Sequence, residues 1–121
     1  MIYVASPYSD PEYKRRVVRA RKVQQFCAHL FNQGEHPFSP IAHWHDIACL
    51  FDMRTDARHF EAYNYDMFKR CDKMYVLMST GSTKSLGLNM EIEWARRLGK
   101  PIHYFHDQDG YPLDKIEPGA G

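Results

Sequence analysis

Little in this sequence marks a secreted, membrane-spanning or polymer-binding chain. Cysteine is sparse: Cys27, Cys49 and Cys71 form no CxxC pair. Their odd number argues against a closed disulfide framework and fits a reducing cytoplasm, with buried structural thiols expected. No apolar run approaches the ~20 residues that a membrane helix needs. Neither sign of charge dominates, since 16 Lys and Arg face 15 Asp and Glu for a net +1. Nothing global therefore directs the chain to a nucleic-acid polymer or an anionic membrane. Repeats, linkers and low-complexity stretches are absent, and no leader is expected before "IYVAS", which begins at Ile2. What remains is 121 residues with 44% hydrophobic content, enough for one domain over residues 1–121 with one modest core. The aromatic share of 14% is read mostly as core.

The apolar pattern supplies three strands and three helices. "IYVAS" (Ile2 to Ser6), "KMYVLMS" and "IHYFH" read as strands. Asp10 is expected to cap a helix from Glu12 to Asn32, with Pro11 at its first position and Gly34 as its stop. Tyr13, Val17, Ala20, Cys27, Leu30 and Phe31 fall mostly on one face of that helix. "HPFSPI" reads as a short extended segment and "AHWHDIACLFDMRTDAR" as a loop with a short helix. "HFEAYNYDMFKRC" is helical, with Phe60, Tyr63, Met67 and Cys71 on one side. "TGSTK" is a loop, and "SLGLNMEIEWARRLG" is a loop entering a helix. The turn-rich tail from about residue 107 is expected to be loosely ordered. Alternating strands and helices imply an α/β fold with a mainly parallel sheet. Such sheets bind ligands at the carboxyl ends of their strands, here at "SPYSDP" and "TGSTKSLGLN".

Two glutamates share the helix after the second of these loops. Glu93 has Arg96 and Arg97 three and four residues on, which explains it as half of a solvated ion pair. Glu91 has only Gly87, Leu88, Trp94 and Ala95 at those offsets. Near a helix start, free N–H groups and the helix dipole favour an anion, while burial opposes it. Two roles stay open for Glu91 at this point: a nucleophile beside a glycine-opened pocket, or a first-turn residue that stabilises its helix.

"SLGLNMEIEWARRLGKPI" resembles the signature of the nucleoside 2-deoxyribosyltransferase superfamily, which includes the 2'-deoxynucleoside 5'-phosphate N-hydrolases. Ser85, Gly87, Glu91, Ala95, Gly99, Lys100 and Pro101 fit that signature. "IYVASPY" resembles the family's first strand and nucleotide-contacting loop. "YDMFKRCDKMYVLM" resembles the segment that supplies an aspartate, which places Asp66 in that position. "FSPIAHWH" with "CDKMYVLM" is most similar to a small bacterial and phage subgroup. The resemblance spans roughly residues 2 to 105.

The resemblance implies a flavodoxin-like sandwich that acts on N-glycosidic bonds without a cofactor or metal. Glu91 would attack the anomeric carbon to form a glycosyl-enzyme, in the manner of a retaining glycosidase. Asp66 would bind sugar hydroxyls or orient Glu91; its plain alternative is an intrahelical pair with Lys69 or Arg70. Ser85 and Gly87, at a helix N-terminus, and Ser6 and Ser9, in the first loop, could hold a 5'-phosphate or 5'-hydroxyl. Helix capping is the equal alternative. "SPYSDP" lacks the glycines of the monophosphate hydrolases, which leaves phosphate preference open. Lys14, Arg15, Arg16 and Arg19 form a basic run read as a solvated face from which one side chain could reach a phosphate.

Tyr8 is placed to stack on a base or sugar. His43 and His45 lie near Asp46, but no third well-spaced metal ligand accompanies them. They are read instead as pocket-lining groups, with His43 preferred. The expected protein is thus a cytoplasmic homodimer that takes a small-molecule nucleoside or nucleotide and cleaves its base–sugar bond. A base-exchanging transferase and a non-catalytic nucleotide-binding module are the rivals.

Overall fold

The computed structural model describes residues 1–79 and 85–106. The expected "TGSTK" loop and the expected loose tail lie outside the described residues. Among the described residues four strands, β1 (Ile2–Ala5), β2 (Pro37–Phe38), β3 (Lys73–Met78) and β4 (Ile102–His106), are interspersed with four helices, two of them in succession between β2 and β3. The helices are α1 (Tyr13–Asn32), α2 (Pro40–Leu50), α3 (Ala57–Lys69) and α4 (Leu86–Arg97). All strand pairs are parallel, in the order β2-β1-β3-β4. The fold is therefore an α/β sandwich of the flavodoxin-like kind.

The strands are short apolar runs because both sheet faces are covered. Ile2, Val4, Tyr75, Leu77 and Phe105 pack with Val23, Phe26 and Leu30 of α1. On the other face Tyr3, Ala5, Met74 and Val76 pack with Phe68 of α3 and Leu88, Trp94 and Ala95 of α4. The crossovers from β1 and β3 thus lie on opposite faces of adjacent strands. Their carboxyl ends form the switch point where open parallel sheets accept ligands.

Several expected details shift. The α1 core stripe is Ala20, Val23, Phe26 and Leu30, while Tyr13 and Phe31 are exposed; the buried face is rotated from the expected one. Glu12, not Asp10, occupies the N-cap position, without a side-chain cap bond. Asp10 accepts from the Glu12 N–H at 2.8 Å instead, forming a local turn before the helix. The stretch after "HPFSPI" is a full helix, α2. Ser39 caps it by accepting from the Ala42 N–H, and Pro40 takes its first turn. In α3 the fully buried residue is Phe68, and Tyr63 is exposed. Cys71 is buried as expected, but Cys49 is an exposed thiol.

The Gly99-Lys100-Pro101 turn has a structural job. Gly99 has φ +65°, a left-handed conformation that glycine adopts without a Cβ penalty. Lys100 Nζ then reaches across to the end of α3, where it donates to the carbonyls of Lys69 (2.9 Å), Phe68 (3.1 Å) and Cys71 (2.6 Å). A cation there offsets the negative end of the helix.

Candidate active site

The carboxyl ends of β1 and β3 open into a cleft of about 710 Å³, counting the space open to solvent. Its floor is Val4 and Ala5 of β1 and Ser6 just after it, with Gly87, Leu88 and Glu91 from α4. Its walls are Trp44, His45 and Ala48 of α2, and Ala57, Phe60 and Asn64 of α3. Tyr8, Ser9 and Ser85 also line it.

Glu91 projects into this cleft from the face of α4 that carries Leu88, Trp94 and Ala95. That face is packed on the sheet, so Glu91 is only 7% exposed. Tyr3, fully buried in β1, donates its hydroxyl to Glu91 Oε2. The Tyr3 ring is wedged edge-on against Phe68 at 5.3 Å, which fixes where that hydroxyl points. Burial pushes the Glu91 carboxyl up to about 8, and the Tyr3 hydrogen bond opposes this only in part. The cleft therefore holds Glu91 mostly protonated at neutral pH. The helix dipole does not reverse this, because Glu91 lies beyond the first turn of α4, where dipole effects fade.

Across the cleft, Tyr8 Oη and His45 Nδ1 form a 2.7 Å hydrogen bond. Burial holds the His45 imidazole below its ordinary range, so it is neutral at pH 7. Trp44 packs against Phe60 with ring centroids 5.7 Å apart. The result is an aromatic slot facing a buried acid.

A family model described as a domain of unknown function (DUF1937) matches residues 1–107. The chain belongs to the DUF1937 family. No curated protein matches it. The family match covers every strand and helix described above, so this DUF1937 domain contains the whole cleft.

Within the DUF1937 cleft the expected site residues separate into two groups. Glu91, Ser6, Tyr8, Ser9, Ser85 and Gly87 all line it. Ser85 is also the N-cap of α4, accepting from the Leu88 N–H at 3.2 Å. A Cβ at Gly87 would meet the Ala57 Cβ at 3.4 Å, so this glycine lets α4 and the start of α3 approach. Asp66 and His43 are not among the lining residues. Asp66 is on the solvent side of α3, 3.5 Å from Arg70; Asn64, two residues earlier, faces the cleft instead. His43 is exposed on α2, in edge contact with Trp44 at 5.0 Å. The helical repeat of α2 turns His45 inward, one turn before Ala48, and so turns His43 out. Asp46 pairs with Arg21 at 3.0 Å. Glu93 is exposed and 3.4 Å from Arg97, as its spacing implied.

The basic run is also explained. Arg19 donates to the Ser9 carbonyl at 2.7 Å and Arg15 lies 3.6 Å from Asp10. These side chains brace the loop between β1 and α1, and none of them lines the cleft. Sequence reasoning missed Tyr3, Asn64 and the preference for His45. Only the Ser39-Pro40 helix start, which sets the phase of α2, could have pointed to His45.

Proposed function

We propose that this protein is an N-glycosidase that cleaves the base–sugar bond of nucleosides, with Glu91 as the nucleophile. The observation that carries the reading is Glu91 itself: a buried carboxyl held by Tyr3 at the floor of a cleft with an aromatic wall. The resemblance of Ser85, Gly87 and Glu91 to the nucleoside 2-deoxyribosyltransferase signature supports the same assignment. In its ionised form Glu91 attacks the anomeric carbon, and the bond from that carbon to the base nitrogen breaks. The electron pair leaves with the base, which takes a proton. Water then attacks the glycosyl-enzyme and gives up a proton that replaces the one the base took, releasing the sugar and regenerating the carboxylate.

Among the described residues the cleft lining holds no lysine or arginine, and it includes Asp56 as well as Glu91. An uncharged nucleoside suits that lining better than its 5'-monophosphate. In this reading Ser6 and Ser85, which line the cleft, bind sugar hydroxyls. The homodimer belongs to this proposal, supported by exposed Val18 and Phe31 on α1 and by exposed Leu50 and Phe51. Light scattering checks it, and a clean monomer mass at high micromolar concentration removes it. The three free thiols suit a reducing cytoplasm. Among the described residues no helix is long and apolar enough to cross a membrane.

One observation favours a second reading. A carboxyl that is neutral at pH 7 is a hydrogen-bond donor, which a pure binding module could use. Incubation with nucleosides, their monophosphates and NAD, read by mass spectrometry, separates the possibilities. Free sugar and free base support the hydrolase. Exchange with an added second base identifies a transferase. Binding without product over long incubation overturns catalysis.

A further inference from the structure

Five buried side-chain polar atoms among the described residues lack a hydrogen-bond partner, and three of them belong to residues lining the cleft: Ser6 Oγ, Trp44 Nε1 and Asn64 Oδ1. Buried polar atoms are nearly always satisfied in folded proteins. Leaving one unsatisfied costs stability and is not retained for packing. That three of the five sit on residues sharing one cleft points to what an occupant could supply.

Two of the three lie on the α2–α3 wall. Trp44 is on α2, and its indole packs against Phe60 of α3. Asn64 is four residues after Phe60 on α3, hence on the same helix face. The indole N–H can only donate, and the Asn64 carbonyl oxygen accepts. The third atom, Ser6 Oγ, follows β1 on the floor that carries Glu91.

We propose that Trp44 and Asn64 read the base: Trp44 Nε1 donates to a ring nitrogen or carbonyl of a planar heteroaromatic group, and Asn64 Oδ1 accepts from its N–H. This rests on the nucleoside reading of the cleft and deepens it by dividing the site. The aromatic wall takes the base, and the floor with Ser6 and Glu91 takes the sugar. Asn64 is a specificity residue, retained for the ligand at the expense of the empty protein.

Two properties of Asn64→Leu follow together. The leucine is similar in size and removes the unsatisfied oxygen, so the thermal midpoint of the empty protein holds or rises. Affinity for bases that present an N–H falls about tenfold, the scale of one lost hydrogen bond with a desolvated partner. Isothermal calorimetry in a Glu91→Gln background, which prevents turnover, measures this. The probes are 2'-deoxyadenosine against its analogue without the 6-amino group, and 2'-deoxyuridine against its N3-methyl derivative. Loss confined to the N–H-bearing member of either pair supports the assignment, and Trp44→Phe then weakens both members of the pair. Equal loss on both members, no loss, or a lowered thermal midpoint without selective loss overturns it while leaving the glycosidase reading standing. Failure of all four probes to bind, with Asn64 intact, overturns both.

Discussion

Glu91→Gln is expected to raise stability while abolishing turnover, and the size of the gain follows from the environment of the carboxyl. Its folded-state value is about 8, against an ordinary value of 4.5. The folded protein therefore keeps a proton that the unfolded chain releases. Stability from this group is fully present below about pH 4.5, declines as pH rises, and levels off above about pH 8. At pH 7 the lost stability is at most on the order of 3 kcal/mol, at 1.36 kcal/mol per pH unit. Glutamine fills the same space and can still accept from Tyr3, but it does not titrate. Allowing for relaxation around the buried group, the variant should gain about 2 kcal/mol at neutral pH, or ~10 °C in a domain of this size. Urea unfolding from pH 5 to pH 8 is the assay. The wild type should weaken across that range while the variant stays flat, the two curves converging near pH 5. Equal slopes, or a variant weaker at every pH, would show that the folded protein holds Glu91 as an anion and would refute the reasoning. Turnover should fall at least ~10³-fold, about 4 kcal/mol of barrier.

Four further outcomes are expected. If the carboxylate attacks, kcat/KM of the wild type should climb about tenfold per pH unit below the Glu91 midpoint, whereas a general-acid role would give a falling profile. Tyr3→Phe removes the one group that lowers the Glu91 value, so its rate profile should shift to higher pH, with activity at pH 7 recovering in alkaline buffer; an unshifted profile counts against the Tyr3 role. Glu93→Gln should lose only an exposed pair, worth ~0.2–1 kcal/mol, and turn over normally; a large drop in rate would place the chemistry on the wrong glutamate. Lys100→Met strips the carbonyls of Phe68, Lys69 and Cys71 of their donor and should cost roughly 1–3 kcal/mol, seen as a lower thermal midpoint with an unaltered KM; an unchanged midpoint would deny this lysine its capping role.

The fold was legible where burial is continuous. "IYVA" and "MYVL" are buried at every position, so their apolar runs survive without context. The stretch from Pro40 to Leu50 was not, because its His, Trp and Asp residues mask a helical period. Its start was nevertheless written in Ser39-Pro40, a cap followed by a proline at the first position. Without that start the phase of α2 is lost, and the choice between His43 and His45 goes with it. Asp66 illustrates the same limit on α3. Its motif position placed it near the chemistry, but its side chain lies on the solvent face, where Arg70 is within reach. Glu91 was legible by contrast with Glu93, since helix neighbours are local. Its protonation state was not, because burial against the sheet sets it, and the hydrogen bond that opposes that burial comes from Tyr3 in β1, 88 residues away in sequence. The orphaned oxygen of Asn64 is of the same kind: only the packing of α2 on α3 shows that nothing among the described residues answers it.

The account rests on Glu91 forming a bond to the sugar. A nucleoside whose sugar carries fluorine at the 2-position destabilises the oxocarbenium-like transition state and slows release of the second step, so the glycosyl-enzyme should accumulate. Intact mass should rise by the mass of the fluorinated glycosyl group, and peptide mapping should place it on Glu91. An adduct on Asp66 or Glu93, or free fluorosugar released at full rate from Glu91→Gln, would contradict the mechanism.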